Sequence, residues 1–278
     1  MTLSLKLAVT LVLSQYVRTK TDETNLKSQC LWWMGETTIV FHQSELGEPT
    51  VSGETEFAAV TASYATWQKE LISCGSLTLS EGSRTKSRAI GYVVAAENEN
   101  VVLFRATKCE DLLNSDNACW KDSTCGNSHD CWEHSSSAIA ITSTSYTPAS
   151  GRDLDSDIEL NSPSFLFTTG VPVITDVQNT VTHEVGHLLG LAHINLDGST
   201  MNAKAESGEL RKRTLDTGSK QFICDVYPKG KPTKTCQIPV LTSSLGASAK
   251  AGCSTADTGV LAGLAALTLA MRVRRRRA

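Results

Sequence analysis

The chain changes its hydrophobic period several times, and each change marks an element. Residues 36–43, ETTIVFHQ, alternate apolar and polar side chains and predict a first strand over Glu36–Gln43. The period then lengthens. Phe57, Val60, Tyr64, Trp67 and Leu71 recur at steps of three and four, the stripe of a helix over Ser52–Ile72 with Ser52 as its cap. Short apolar runs at Ser76–Ser80 and Asn100–Ala106 predict strands two and three. Thr107–Ser137 has no period and reads as a long Cys-rich loop. Ala138–Thr142 predicts strand four. Asp153–Asn161 predicts strand five, with Asp153, Asp155, Asp157 and Glu159 on one face. A second helix carries Val177, Val181, Val185 and Leu188 as its stripe, and Thr175 with Gln178 match a capping box at its start. A last helix covers Asp216–Val226 and stops before Pro228. From Lys229 to Gly252, Lys, Pro, Ser, Thr and Ala dominate, which is the composition of a linker. No internal repeat is visible.

Composition adds limits. A chain of 278 residues, 40% hydrophobic and 20% charged, suits one globular domain with appendages. The net charge of −3 hides an asymmetry, because Arg272 and Arg274–Arg277 crowd the last seven residues. The body is therefore acidic, which disfavours a nucleic-acid partner. There are nine cysteines. With Cys253 set apart, the other eight suffice for four disulfides in an oxidising compartment. A second zinc site in the Cys109–Cys131 cluster, where CGNSHDCWEH adds two histidines, is the alternative.

Both ends carry targeting features. Lys6 precedes an apolar run over Leu7–Leu13, a short signal peptide cut after Ser14, with a buried strand as the plainer alternative. Near the other end, Cys253 is followed by VLAGLAALTLAM and then RVRRRRA. The apolar stretch is shorter than the roughly 20 residues of a comfortable spanning helix. Cysteine, short apolar helix and arginine cluster together resemble the MYXO-CTERM sorting tails. That resemblance implies export, processing near Cys253 and a surface-linked product. A simple membrane anchor also implies export but keeps the helix. The divisions expected are 1–14, 30–227, 228–252 and 253–278.

The second helix carries the chemistry. In HEVGHLLGLAH, His183 and His187 lie four apart, so they share one helix face. Two imidazoles at that spacing can hold one zinc ion at about 2.0–2.1 Å. Glu184 is placed to act as general base on a zinc-activated water. His193 lies six residues beyond His187, about 600° of helical rotation, and so cannot reach the metal from an unbroken helix. Gly190 accepts the left-handed conformation that ends a helix, which lets the chain bring His193 back.

The pattern HExxHxxGxxH resembles the metzincin metallopeptidases, and Met201, eight residues after His193, gives it a spacing similar to that of the matrixin family. The order of elements is similar to the zincin fold: an α+β class with a twisted, mixed five-stranded sheet, two main helices and a C-terminal helix, here stapled by disulfides. The resemblance implies His183, His187 and His193 as zinc ligands, Glu184 as base and Met201 as the floor under the metal. It also implies that strand four, with Ala138, Ile139, Ala140 and Ile141, is a sheet edge that pairs with an extended substrate. A calcium site near strand five is implied too, against the plainer expectation of a solvated acidic face. The chain departs from the matrixin pattern in two places. Ile194 stands where serine is usual, and Met201-Asn202-Ala203 replaces Met-Tyr-Pro, so the preference of the specificity pocket does not carry over. Ala203 also argues against the astacin-like and serralysin-like groups, which have a tyrosine ligand there.

The expected activity is that of a zinc-dependent endopeptidase, secreted or at the cell surface, with a peptide or protein as substrate and the membrane met only through the tail. A catalytically silent, surface-attached metal-binding protein is the rival from another class. The intact Glu184 argues against it, since holding zinc needs only the histidines. A zinc hydrolase of non-peptide substrates is the third reading.

Overall fold

The computed structural model describes residues 15–25 and 27–236, and the backbone of Ser254–Thr255. The segment 1–14, Cys253 and nearly all of the tail lie outside the described residues.

The strands are β1 (Val17–Arg18), β2 (Thr38–Gln43), β3 (Thr78–Glu81), β4 (Asn100–Arg105), β5 (Ala140–Thr147), β6 (Arg152–Asn161), β7 (Phe167–Thr168), β8 (Thr175–Asp176), β9 (Leu191–Ala192), β10 (Lys204–Ala205) and β11 (Ser254–Thr255). The main helices are α1 (Thr55–Cys74), α5 (Val177–Leu188) and α6 (Thr217–Val226). Three single turns, α2 (Cys109–Leu112), α3 (Cys119–Asp122) and α4 (Cys125–His129), lie in the Cys-rich loop. The central sheet has the order β3-β2-β4-β6-β5. Its first four strands run parallel, and β5 is antiparallel to β6 at the edge.

One face of this sheet packs on α1 and α5. Ile39, Phe41, Val102, Phe104, Ile158 and Leu160 meet Val60, Tyr64, Trp67 and Leu71 of α1 and Val177, Val181, Val185 and Leu188 of α5. Phe41 stacks on Tyr64 with ring centroids 3.6 Å apart. Trp67 Nε1–H donates to Thr182 O at 2.8 Å, which fixes the register of the two helices. Each aromatic side chain removes a large apolar area from water, so these contacts dominate the stability of the layer.

Several boundaries moved. Helix α1 begins at Thr55 behind Glu54, which is left-handed and makes no side-chain cap, so Ser52 is not the cap. Helix α5 is capped by Asp176, whose carboxylate accepts the Asn179 N–H at 2.7 Å. The Thr175–Gln178 box does not form, because Thr175 pairs with Phe167 in a short parallel bridge. Asp216, expected as the first residue of the last helix, is its N-cap.

The acidic face of β6 is a larger correction. Asp153, Asp155, Asp157 and Glu159 are buried rather than solvated. Asp157 accepts the Val101 N–H at 2.8 Å and the Gly91 N–H at 2.6 Å. Glu159 accepts Arg105 Nε–H at 2.6 Å, with His134 Nε2 at 3.2 Å. Arg105 is itself fully buried and also donates to Asp130. Segments around residues 88–105 and 130–134 meet Asp157 and Glu159; the buried Glu159 charge persists because it is paired and hydrogen-bonded, whereas burial pushes the Asp153, Asp155 and Asp157 carboxyls up.

All eight described cysteines pair: Cys30–Cys236, Cys74–Cys224, Cys109–Cys131 and Cys119–Cys125. The loop cluster is thus two disulfides rather than a zinc site. Residues 229–236, where the linker was expected to begin, are held to the body. Lys229 N–H donates to Cys74 O, Lys234 N–H to Val226 O, and Cys236 is bonded to Cys30. No helix among the described residues is long and apolar enough to cross a membrane.

Candidate metal centre

Helix α5 presents His183, Glu184 and His187 from a buried setting between α1 and the edge of the sheet. The chain leaves the helix at Gly190, whose φ is +100°. A side chain there would be strained, and its Cβ would lie 2.8 Å from Leu31 O. The chain then pairs as β9 with the N-terminal strand β1, in the register Arg18–Leu191 and Val17–Ala192. His193 follows directly.

The three imidazoles converge. The Nε2 atoms of His183, His187 and His193 are each 3.1 Å from the other two. Backbone carbonyls settle which nitrogen carries the proton. His183 Nδ1 is 2.6 Å from Thr200 O, and His187 Nδ1 is 2.7 Å from Leu191 O. A carbonyl only accepts, so each Nδ1 is the protonated nitrogen and each Nε2 offers a lone pair. Burial, with the neighbouring histidines, holds His183 and His187 well below the ordinary imidazole pKa. Burial, with Lys212, pushes His193 down to about 4. Lone pairs of neutral imidazoles facing one another at this distance repel unless a cation lies between them. Nitrogen separations near 3.1 Å are what ligands about 2.0 Å from one tetrahedral ion produce. The residues therefore fit a zinc ion, and the carbonyls at Nδ1 orient the rings as outer-shell partners do.

Glu184 is fully buried beside this triad. Thr142, on the edge strand β5, places its hydroxyl 2.7 Å from Glu184 Oε2 and 3.1 Å from Glu184 O. That contact joins the edge strand of the sheet to the carboxylate. Met201 is buried, and its backbone O accepts the Ile194 N–H at 3.0 Å, which ties the methionine turn to the third histidine. A methyl group at Gly186 would overlap the sulfur of Met201, so this side chain lies directly against the metal helix.

The edge strand starts two residues later than expected. Ala140 and Ile141 lie in β5, whereas Ala138 and Ile139 precede it and accept from Asn161 Nδ2 and Asn161 N respectively. Thr142, Thr200 and Leu191 were not singled out in the sequence. The only hint of Thr142 was a hydroxyl ending an apolar strand, and the carbonyls leave no trace in the residue types. The acidic strand does not gather three carboxylates. Among the described residues, groups of three or more side-chain ligand atoms within 4.8 Å occur at the His triad and at Glu70, Cys74 and Cys224, where both sulfurs are in a disulfide.

A mixed five-stranded sheet with an antiparallel edge strand, two large helices and a buried three-histidine centre fits an α+β fold of metzincin type. Residues 119–228 match the family model of matrixin, a stretch that runs from the Cys-rich loop through β5, the metal helix and Met201 to the end of α6. The match supports a matrixin-like metalloprotease with zinc as its metal. No curated protein matches the chain.

Proposed function

We propose that the protein is an exported zinc endopeptidase in which His183, His187 and His193 hold the metal and Glu184 is the general base. The observation that carries this reading is the closed triangle of Nε2 atoms with a buried carboxylate beside it. When bound, the zinc supplies Lewis acidity, which lowers the pKa of water toward about 7 and polarises a scissile carbonyl. The Glu184 carboxylate takes the proton of the attacking water and returns it to the leaving amine. The Thr142 hydroxyl fixes Oε2, so the carboxylate does not rotate away during the transfer. The open side of β5 offers N–H and C=O groups to an extended peptide. Burial of the whole constellation keeps these dipoles strong and fixed.

Export is supported by the apolar run after Lys6 and by the four disulfides, which suit an oxidising compartment. Attachment at the cell surface, with processing near Cys253, follows from the tail pattern. An intact mass of the surface protein that still includes Arg274–Arg277 would overturn the processing. Calcium is no part of this proposal.

Glu184→Ala is the direct test of the chemistry. It should leave the zinc content of the purified protein unchanged and lower peptide turnover by about 10²–10⁴-fold. Turnover near the parent value in a zinc-loaded variant would sink the mechanism. Zinc binding with no peptide cleavage by the parent protein would favour the silent binding protein instead.

A further inference from the structure

Two of the three imidazoles rest on backbone carbonyls, and those carbonyls are held in different ways. Leu191 O, under His187, belongs to β9, which is paired with β1. Thr200 O, under His183, lies in the methionine turn and in no strand or helix. Its position therefore depends on whatever holds Thr200.

That residue is buried, and each of its other polar groups is committed. Its N–H donates to Asp216 Oδ1 at 3.0 Å, and its Oγ1 accepts the Asp216 N–H at 3.0 Å. The two residues clasp one another in both directions. The Thr200 hydroxyl has Thr214 O as its own acceptor, at 3.4 Å. What remains of Thr200 is the carbonyl, 2.6 Å from His183 Nδ1.

Asp216 is the N-cap of α6, and capping alone is the plainer explanation of an aspartate there. A cap, however, needs one acceptor. Oδ2 fills that role by accepting the Gly218 N–H at 3.0 Å. Oδ1 is left over and takes the Thr200 N–H, and the Ser219 hydroxyl donates to the same oxygen at 2.6 Å. Capping α6 does not require a contact with the residue before Met201.

The other side of the clasp is firmly seated. Phe222, Ile223 and Val226 of α6 lie in the core, and Cys224 is bonded to Cys74 at the end of α1. Without Oδ1 the Thr200 N–H would be buried with no acceptor, which is unfavourable. The turn would then shift to satisfy it, and the carbonyl under His183 would move with the turn.

We propose that Asp216 is a positioning residue of the metal centre, which through Thr200 holds the carbonyl that orients the His183 ring and turns its Nε2 to the metal. The proposal rests on the zinc reading of the three histidines. Asp216 touches no ligand itself and acts only through Thr200.

Asp216→Ser in the full-length protein separates the two roles. Serine caps a helix about as well as aspartate but has one side-chain oxygen, so it cannot serve both Gly218 and Thr200. Zinc affinity, measured by competition against a chromophoric chelator, should fall by about 10–100-fold, the usual cost of losing a group that orients a metal ligand. With cobalt(II) in place of zinc, the visible spectrum should change as His183 tilts. The melting temperature of the metal-free protein should stay close to that of the parent. Asp216→Asn keeps an oxygen for the Thr200 N–H and should recover most of the zinc affinity. A purely capping role predicts the reverse, with serine harmless to zinc binding. Should Asp216→Ser fold poorly, Thr200→Val opens the clasp from the other side and should also weaken zinc binding. Zinc affinity within about threefold of the parent in whichever of these two variants folds, with an unchanged cobalt spectrum, would overturn the inference and leave the metal centre standing. Absence of zinc binding by the parent would overturn the zinc reading and this inference with it.

Discussion

Gly190→Ala tests how the third histidine reaches the metal. The backbone there has φ +100°, a region that costs an L-residue roughly 1–2 kcal/mol. The added methyl would lie 2.8 Å from Leu31 O, inside normal contact distance. That oxygen cannot drift freely, because it accepts a hydrogen bond from the Arg18 guanidinium at 2.9 Å. Contact and torsion together amount to roughly 2–3 kcal/mol of strain.

The strain can be relieved in one inexpensive way. The stretch 190–193 can swing off β1, which carries His193 away from the other two rings. Zinc opposes that movement and metal-free protein does not, so the cost falls on metal binding. At about 1.4 kcal/mol per tenfold, zinc affinity should drop by about 30- to 150-fold. Competition against a chromophoric chelator measures this directly. Thermal melts add a second check, since the zinc-loaded variant should lose stability and the metal-free one should resemble the parent. Zinc affinity within about threefold of the parent would refute the reasoning, and Gly190 would then not be the residue that turns His193 inward.

Thr142→Val removes the hydroxyl at Glu184 without changing shape much. It should lower kcat by about tenfold with KM and zinc content unchanged, whereas Thr142→Ser should restore the rate; a normal kcat in the valine variant would rule the contact out. Burial pushes the Asp155 carboxyl up to about 6 from 3.8, so the folded state holds that proton more tightly and stability falls as pH rises from about 4 to about 6, with the penalty persisting above. Asp155→Asn should therefore raise the Tm of the metal-free protein by a few degrees at about pH 7.5 and hardly at all near pH 4, and equal shifts at both would refute the assignment. Replacing Cys30 and Cys236 together with serine opens a loop of roughly 60 residues, because Cys74–Cys224 already shortens the longer path, and chain entropy gives a loss of about 4 kcal/mol. A fall in Tm below about 2 °C in that variant would mean the disulfide is redundant.

What was legible in the sequence was local. His183, His187, Glu184 and Gly190 sit within eight residues, and one helix and one turn suffice to arrange them. The apolar stripe of α1 was equally plain, because Phe57, Val60, Tyr64, Trp67 and Leu71 are set by the helix alone. The acidic strand shows the opposite case. Alternation at period two says that Asp153, Asp155, Asp157 and Glu159 share a face, and it is the same whether that face meets water or protein. For Asp157 and Glu159 the deciding partners are Gly91, Val101, Arg105 and His134, all from other segments. The helix caps failed for a related reason. Asp176 and Thr175 compete at adjacent positions, and pairing with Phe167 uses the backbone of Thr175.

The least legible feature is the one on which the metal loop rests. Leu31 N–H donates to Thr19 O at 2.9 Å, and Leu31 O lies against both Arg18 and Gly190. Arg18 also donates to Lys234 O at 2.7 Å, and Cys30 next to Leu31 is bonded to Cys236. Segments near both ends of the described chain are therefore tied to Leu31, which backs the turn between the second and third histidines. A chain trimmed to residues 30–227 would keep every ligand and the base. It would lose the strand that pairs with Leu191–Ala192, leave Cys30 without its partner and remove the Arg18 and Thr19 donors to Leu31 O and Gly190 O. The metal motif alone does not define the folding unit that positions His193. The unit that positions His193 includes Val17–Arg18 and the segment of Lys234 and Cys236, because these hold Leu31 and the strand after the turn.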